Sequence, residues 1–297
     1  MPGFLSSNFS MFICEANEKQ PLTPDFLRKR AFSDTIDPDG MRSGWTGLGE
    51  LLDTENFTFA LVDGRFSGFS YRLDERRPSK PVIRLQVEEK IREEERGGTK
   101  VSAKRRKEIR EEVTEKLTAQ TDFAPSLIDC IWDDEKGRLF VATTSDKRLE
   151  RVLALFKASF GMEAWPISPE TDMSQVFASI QAAGGIQVDD FFLETIGSAS
   201  LASAPQSEEK CTIAVQNSSE TVTEAITQGM AIKKIAFVAR ENGADNEYRF
   251  TLGDDLIVRG IKLPKSDKDD SVEATFILHA EACSQVADIV ANLAQEK

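Results

Sequence analysis

Phe57, Phe59 and Leu61 alternate with Thr58, Ala60 and Val62, the two-residue period of a half-buried strand, and Asp63-Gly64 follows as a turn. Phe69, Tyr71 and Leu73 repeat the alternation and predict a second strand. A clearer hairpin runs over 127–132, a turn at 133–137 and a return strand at 138–143. The period then lengthens. Leu149, Val152, Leu153 and Phe156 recur at helical spacing, and Gly161 fits a helix stop. Further on, 173–183 reads as a helix, and 231–240, 247–252 and 256–263 read as strands with a turn over 241–246. The small-residue run 197–207 reads as a loop or linker, 273–278 as another strand, and 283–293 as a terminal amphipathic helix. No repeat of fixed period occurs.

Between the second strand and the clear hairpin the pattern changes. Pro81 suits a first helical position, and Ile83, Val87 and Ile91 form a stripe four residues apart. Gly97-Gly98 breaks that helix; Ser102 can cap a second, whose stripe is Ile109, Val113 and Leu117. Two such narrow stripes can bury a seam against each other and leave the flanking charges in solvent. The chain thus predicts an α+β fold of antiparallel sheets with packed helices and a protruding charged helical hairpin. The expected division is a discontinuous centre domain over 1–80 and 121–170, an arm over 81–120, and a C-terminal α+β domain over 171–297.

Charge sharpens the picture of the arm. The 297 residues hold 37 Lys+Arg and 50 Asp+Glu, a net −13. Residues 76–116 hold 14 of the bases and only 9 of the acids, so this segment is +5 while the remainder is −18. Surface potential reaches about 10 Å at ordinary ionic strength, so this local excess decides what the arm attracts. Much of it can be a solvated face laced with pairs such as Glu88–Arg92 and Glu112–Lys116. Two clusters are read as escaping that pattern: Arg76-Arg77 with Lys80 precedes the first arm helix, and Lys104-Arg105-Arg106-Lys107 opens the second. With Arg84 and Lys100 they are the candidate phosphate contacts, which would give salt-dependent, sequence-independent DNA binding. The helix start at Ser102 adds free N–H groups for a phosphate.

Other chemistries find less support. Cys14, Cys130, Cys211 and Cys283 lie far apart with no C-x-x-C pair, as expected of reduced and mostly buried thiols. No run of eighteen apolar residues predicts a membrane span, and the start lacks the charge and apolar core of a signal peptide. A cytoplasmic protein is expected. No P-loop or dinucleotide-binding glycine pattern occurs. The single histidine, His279, falls at the end of the strand expected over 273–278 and reads as a packed or surface residue. A magnesium-dependent nuclease would need converging carboxylates. Asp189-Asp190, Asp254-Asp255 and Asp133-Asp134-Glu135-Lys136 are the candidates, none at a readable catalytic spacing. The residues therefore point to no catalytic centre, no metal and no cofactor.

Several stretches resemble the RdgC family of bacterial recombination-associated DNA-binding proteins. They are Gly44-Trp45, Pro78-Ser79-Lys80-Pro81-Val82-Ile83, Ile109-Arg110-Glu111-Glu112-Val113, Ile131-Trp132-Asp133 and Gly137-Arg138-Leu139-Phe140-Val141. Leu153-Ala154-Leu155-Phe156-Lys157, Gly229 with Lys233-Lys234-Ile235-Ala236, and Ala274-Thr275-Phe276-Ile277-Leu278 follow in the same order. The resemblance implies a ring-shaped homodimer whose hole takes duplex DNA without sequence preference and which restrains RecA-driven strand exchange on the nucleoid. It also implies that Phe123, after the second arm helix, sits at the dimer gate, and that Gln216 is a polar DNA contact, with Val215 where the family carries a Lys. Two other classes stay open: a magnesium-dependent exonuclease acting in recombination, and a protein-binding adaptor whose arm mediates assembly only.

Overall fold

The computed structural model describes residues 3–6, 8–59, 64–98, 100–203, 211–244, 246–263 and 271–295. Along the first part of the chain, strand β1 (Asn8–Ala16) precedes helix α1 (Pro24–Arg28), β2 (Arg42–Gly47) and β3 (Phe66–Arg76). Next come α2 (Lys80–Glu95), α3 (Ala103–Gln120), β4 (Phe123–Asp133), β5 (Arg138–Val141), α4 (Asp146–Phe160) and β6 (Ala164–Pro166). The second part holds α5 (Met173–Ala183), β7 (Gly185–Val188), β8 (Phe191–Ser203), β9 (Thr212–Val215) and α6 (Ser219–Thr227). It closes with β10 (Met230–Glu241), β11 (Glu247–Gly253), β12 (Val258–Lys262) and α7 (Val272–Gln295). The α+β expectation holds, with one large sheet in the order β2-β3-β4-β5-β1-β12-β11-β10-β8-β7 and with β6 beside β1 and β9 beside β8.

Strand β1 is the hinge of that order. Its first half pairs antiparallel with β12 (Asn8 opposite Lys262) and its second half with β5 (Phe12 opposite Val141). Compact packing divides the chain into two units: residues 1–31, 45–71 and 127–297 form the first, and 32–44 and 72–126 the second. The expected arm lies wholly in the second unit, and residues 171–297 lie in the first.

Within the first unit, α4 packs an aromatic cluster: Trp45 meets Phe69 edge-on at 5.0 Å, and Phe156 lies 5.5 Å from Trp132 and 4.8 Å from Phe160. Each indole N–H is satisfied, Trp45 by Ser159 Oγ at 2.8 Å and Trp132 by the Gln20 carbonyl at 3.0 Å. Helix α4 stops at Gly161, whose φ of 74° is the left-handed cap. Cys14, Cys130 and Cys283 are free and buried, and burial pushes their thiols up; Cys211 is exposed.

Three local expectations fail for a physical reason. Phe57 and Phe59 are buried but belong to a turn, not a strand: the Asp53 carboxylate accepts from the N–H groups of Asn56 (2.8 Å) and Phe57 (3.0 Å). That turn holds Phe57 at a φ of 48°, and the remaining expected strand positions, 60–62, lie outside the described residues, as does 63 of the expected turn. The run expected as a linker is the second half of β8 up to Ser203, with 204–207 outside the described residues. Ala199 and Leu201 alternate inward there, and the small residues around them mimic linker composition. Gly197 carries the register shift against β10: its φ is 66°, and a Cβ would stand 2.6 Å from the Ser219 nitrogen. The strand expected over 273–278 is the first part of α7. Phe276, Ala280, Cys283, Ala287, Val290 and Ala294 recur at three to four residues and are buried, so the helical stripe overrides the local β-propensity. Strand β12 also starts later than expected, because Leu256 takes a turn conformation with a φ of 56°.

Candidate nucleic-acid interface

The two arm helices form as their stripes predict. In α3, Ile109 and Val113 are fully buried, and Ile83, Val87 and Ile91 of α2 are half-buried. Ser102 caps α3, its Oγ accepting from the Arg105 N–H at 3.2 Å. Gly98, at a φ of 86°, turns the chain between the helices.

That turn changes the electrostatics of the basic cluster. Arg105 binds Glu94 across the seam at 2.7 Å and Glu112 and Glu108 on its own helix at 2.8 and 3.3 Å. Arg106 pairs with Glu95 at 3.2 Å, and Lys107 with Glu111 at 3.8 Å. The cluster therefore does have acidic partners: the fold-back brings in Glu94 and Glu95, and Glu108, Glu111 and Glu112 follow it on the same helix. Hydrogen bonds donated to Glu94, then Glu112 and Glu108, hold the Arg105 guanidinium above its ordinary value, and those that Glu112 accepts from Arg105 and Lys90 hold it below its own. The two expected surface pairs are also replaced: Glu88 binds Arg84 at 3.0 Å, and Glu112 binds Arg105 and Lys90.

The candidate contacts thus separate into two groups. Lys80, Lys100 and Lys104 are exposed and make no ion pair among the described residues, and the same is true of Arg92, Arg96, Arg110 and Lys116. These last four were indistinguishable in sequence from cations within i, i+4 reach of acids. Arg84, Arg105, Arg106 and Lys107 are held by acids, and Arg77 pairs with Glu75. Arg76 is engaged differently. It donates to the Ala119 carbonyl at 3.3 Å, and its guanidinium lies 4.6 Å from the centre of the Phe123 ring. Phe123, the first residue of β4, is half-buried, and Arg42 stands 4.2 Å from the ring centre. Arg42 carried no signal in sequence, because only the fold brings it to the aromatic ring. Gln216 is exposed in the turn after β9, beside Asn217 at a φ of 53°, and belongs to the first unit while the arm cations belong to the second.

Most of the acidic candidates are otherwise employed. Asp133 is fully buried and takes two hydrogen bonds from Arg65 at 3.1 and 2.9 Å and one from Ser284 Oγ at 2.8 Å. Glu135 also pairs with Arg65, and Lys136 pairs with Asp288. Asp254 binds Lys233, Asp255 binds Arg259, and Asp189 accepts from Asn292. Among the described residues no three His, Cys, Asp or Glu side chains come together as a cation-binding group. His279 lies inside α7, not on a strand, buried with its Nδ1 2.7 Å from the Phe4 carbonyl. Among the described residues no helix is long and apolar enough to cross a membrane.

No curated protein matches the chain. A family model does, under the description "Putative exonuclease, RdgC", over residues 7–293 of the 297. It spans both units, the arm and the sheet alike, and the chain belongs to the RdgC family.

Proposed function

We propose that this chain binds double-stranded DNA without sequence preference, closes around it as a ring-shaped homodimer, and restrains RecA-dependent recombination on the nucleoid without a catalytic step. The observation that carries this reading is the set of seven exposed arm cations free of ion pairs among the described residues, on a chain whose remainder is strongly acidic. Such cations are available to replace the counterions condensed on a phosphate backbone, and their release favours binding at low salt. Lys100 and Lys104 flank the start of α3, where backbone N–H groups add to the attraction. Closure around the duplex is assigned to the region of Phe123, following the family resemblance. The exonuclease in the family's description would need carboxylates free to hold a divalent cation. Asp133, Asp254 and Asp255 are each neutralised by a basic side chain, which favours the non-catalytic reading.

The test is duplex binding by fluorescence anisotropy with Lys80, Lys100 and Lys104 changed together to Glu. Affinity falls at least about tenfold at low salt, and the salt dependence becomes shallower by about one unit per lost contact. Unchanged affinity would remove the arm from the interface. Degradation of end-labelled duplex by purified protein with magnesium, spared by Asp254→Ala, would favour the nuclease.

A further inference from the structure

The Phe123 ring is not waiting free for a partner. Two guanidinium groups of its own chain stand over it, Arg42 at 4.2 Å and Arg76 at 4.6 Å from the ring centre, inside the distance at which a cation is held by an aromatic face. All three residues belong to the second unit. They converge there from β2, the end of β3 and the start of β4, and Arg76 also donates to the Ala119 carbonyl in the last turn of α3.

The same arrangement carries an internal cost. Arg42 and Arg76 each have a buried Nε with no hydrogen-bond partner among the described residues, although Arg42 Nη1 reaches Asp34 at 2.7 Å. A buried unsatisfied donor opposes the attraction of ring and cation by an energy of the same order. A stack that is geometrically well formed yet poorly hydrogen-bonded is easily exchanged for another.

We infer that Arg42 and Arg76 form a latch that holds Phe123 in cis, and that a second copy of this chain must displace Phe123 from it before the dimer can close. This rests on the reading of Phe123 as a gate residue and adds its regulation. The latch sets the dimerisation threshold, so that protomers stay open until their local concentration rises.

The experiment measures the dimer dissociation constant by sedimentation, without DNA, for the full chain and for Phe123→Ala, Arg42→Gln, Arg76→Gln and the double arginine variant. Arg42→Lys is included because it keeps the charge but loses the planar stack. The latch predicts that Phe123→Ala weakens the dimer while each arginine variant, Arg42→Lys included, tightens it by about fivefold, the equivalent of one cation–ring contact. Weakening by Phe123→Ala with arginine variants unchanged or weaker would overturn the latch and leave the gate standing. A dimer indifferent to Phe123→Ala would overturn the gate itself, and a chain monomeric at all concentrations would remove the dimer on which both depend.

Discussion

Asp129 and Asp133 lie four residues apart on β4, both buried, yet their carboxyl groups are displaced in opposite directions. Burial pushes Asp129 up, and hydrogen bonds from Ser70 Oγ at 2.6 Å and the Phe4 N–H at 3.1 Å offset only part of it. At Asp133 burial acts the same way, but the Arg65 guanidinium and Ser284 hydroxyl outweigh it and leave the carboxyl below the usual range. The consequences for stability have opposite signs. A lowered carboxyl stabilises the fold above its unfolded value, about pH 4, and that contribution vanishes as pH falls through the folded value. A raised one brings a penalty that is absent in acid and grows as pH rises toward the folded value. Asp133→Asn should therefore cost about 2 kcal/mol at neutral pH, since Arg65 loses its buried charged partner but keeps Glu135, is 31% exposed and can rehydrate. The loss should shrink below about pH 4. Asp129→Asn should be nearly neutral, improving relative to the parent as pH rises. Urea unfolding across this range measures both, and equal losses at pH 7 would contradict the assignment.

At the scale of elements, the arm and α7 differ in what holds them. Helix α7 buries a stripe from Phe276 to Ala294 and is tied to the β4–β5 hairpin by Arg138 and Lys136 on Asp288, the former at 2.6 Å. Helix α2 has no fully buried residue, and α3 has only Ile109 and Val113. Its exposed ion pairs contribute little individually, so the seam carries the arm. Ile109→Ala should remove about 3 kcal/mol from a structure with little to spare. Helical circular dichroism should fall in proportion to the arm, and limited proteolysis should cut within 80–120. Retention of full helicity and protease resistance would show that the arm is held by something other than its seam. These helices were legible in sequence because a narrow stripe, a proline start, a glycine break and a serine cap are all local signals. The β-like run from Glu273 to Leu278 misled because propensity over six residues says less than the period over twenty-four.

For the whole molecule, a ring that closes on DNA should leave a linear duplex by sliding off its end but leave a closed circle only by opening. After a salt challenge, complexes with circular duplex should dissociate about tenfold more slowly than those with a linear fragment of equal length. Equal rates would argue for a surface that binds without encircling. Sequence alone determined the outline. It set the strand and helix periods, the basic segment in an acidic chain, the two-helix arm and the family to which the match over 7–293 assigns it. Periodicity and composition survive any arrangement in space, so they can be read from a string of residues. Tertiary structure decided which cations remain available, since Arg105 meets Glu94 eleven residues away only after the chain turns at Gly97-Gly98. It also decided that Phe123 meets both Arg42 and Arg76, residues with no relation along the sequence. Pairing of charges and rings depends on distances of a few ångströms, and only folding sets those.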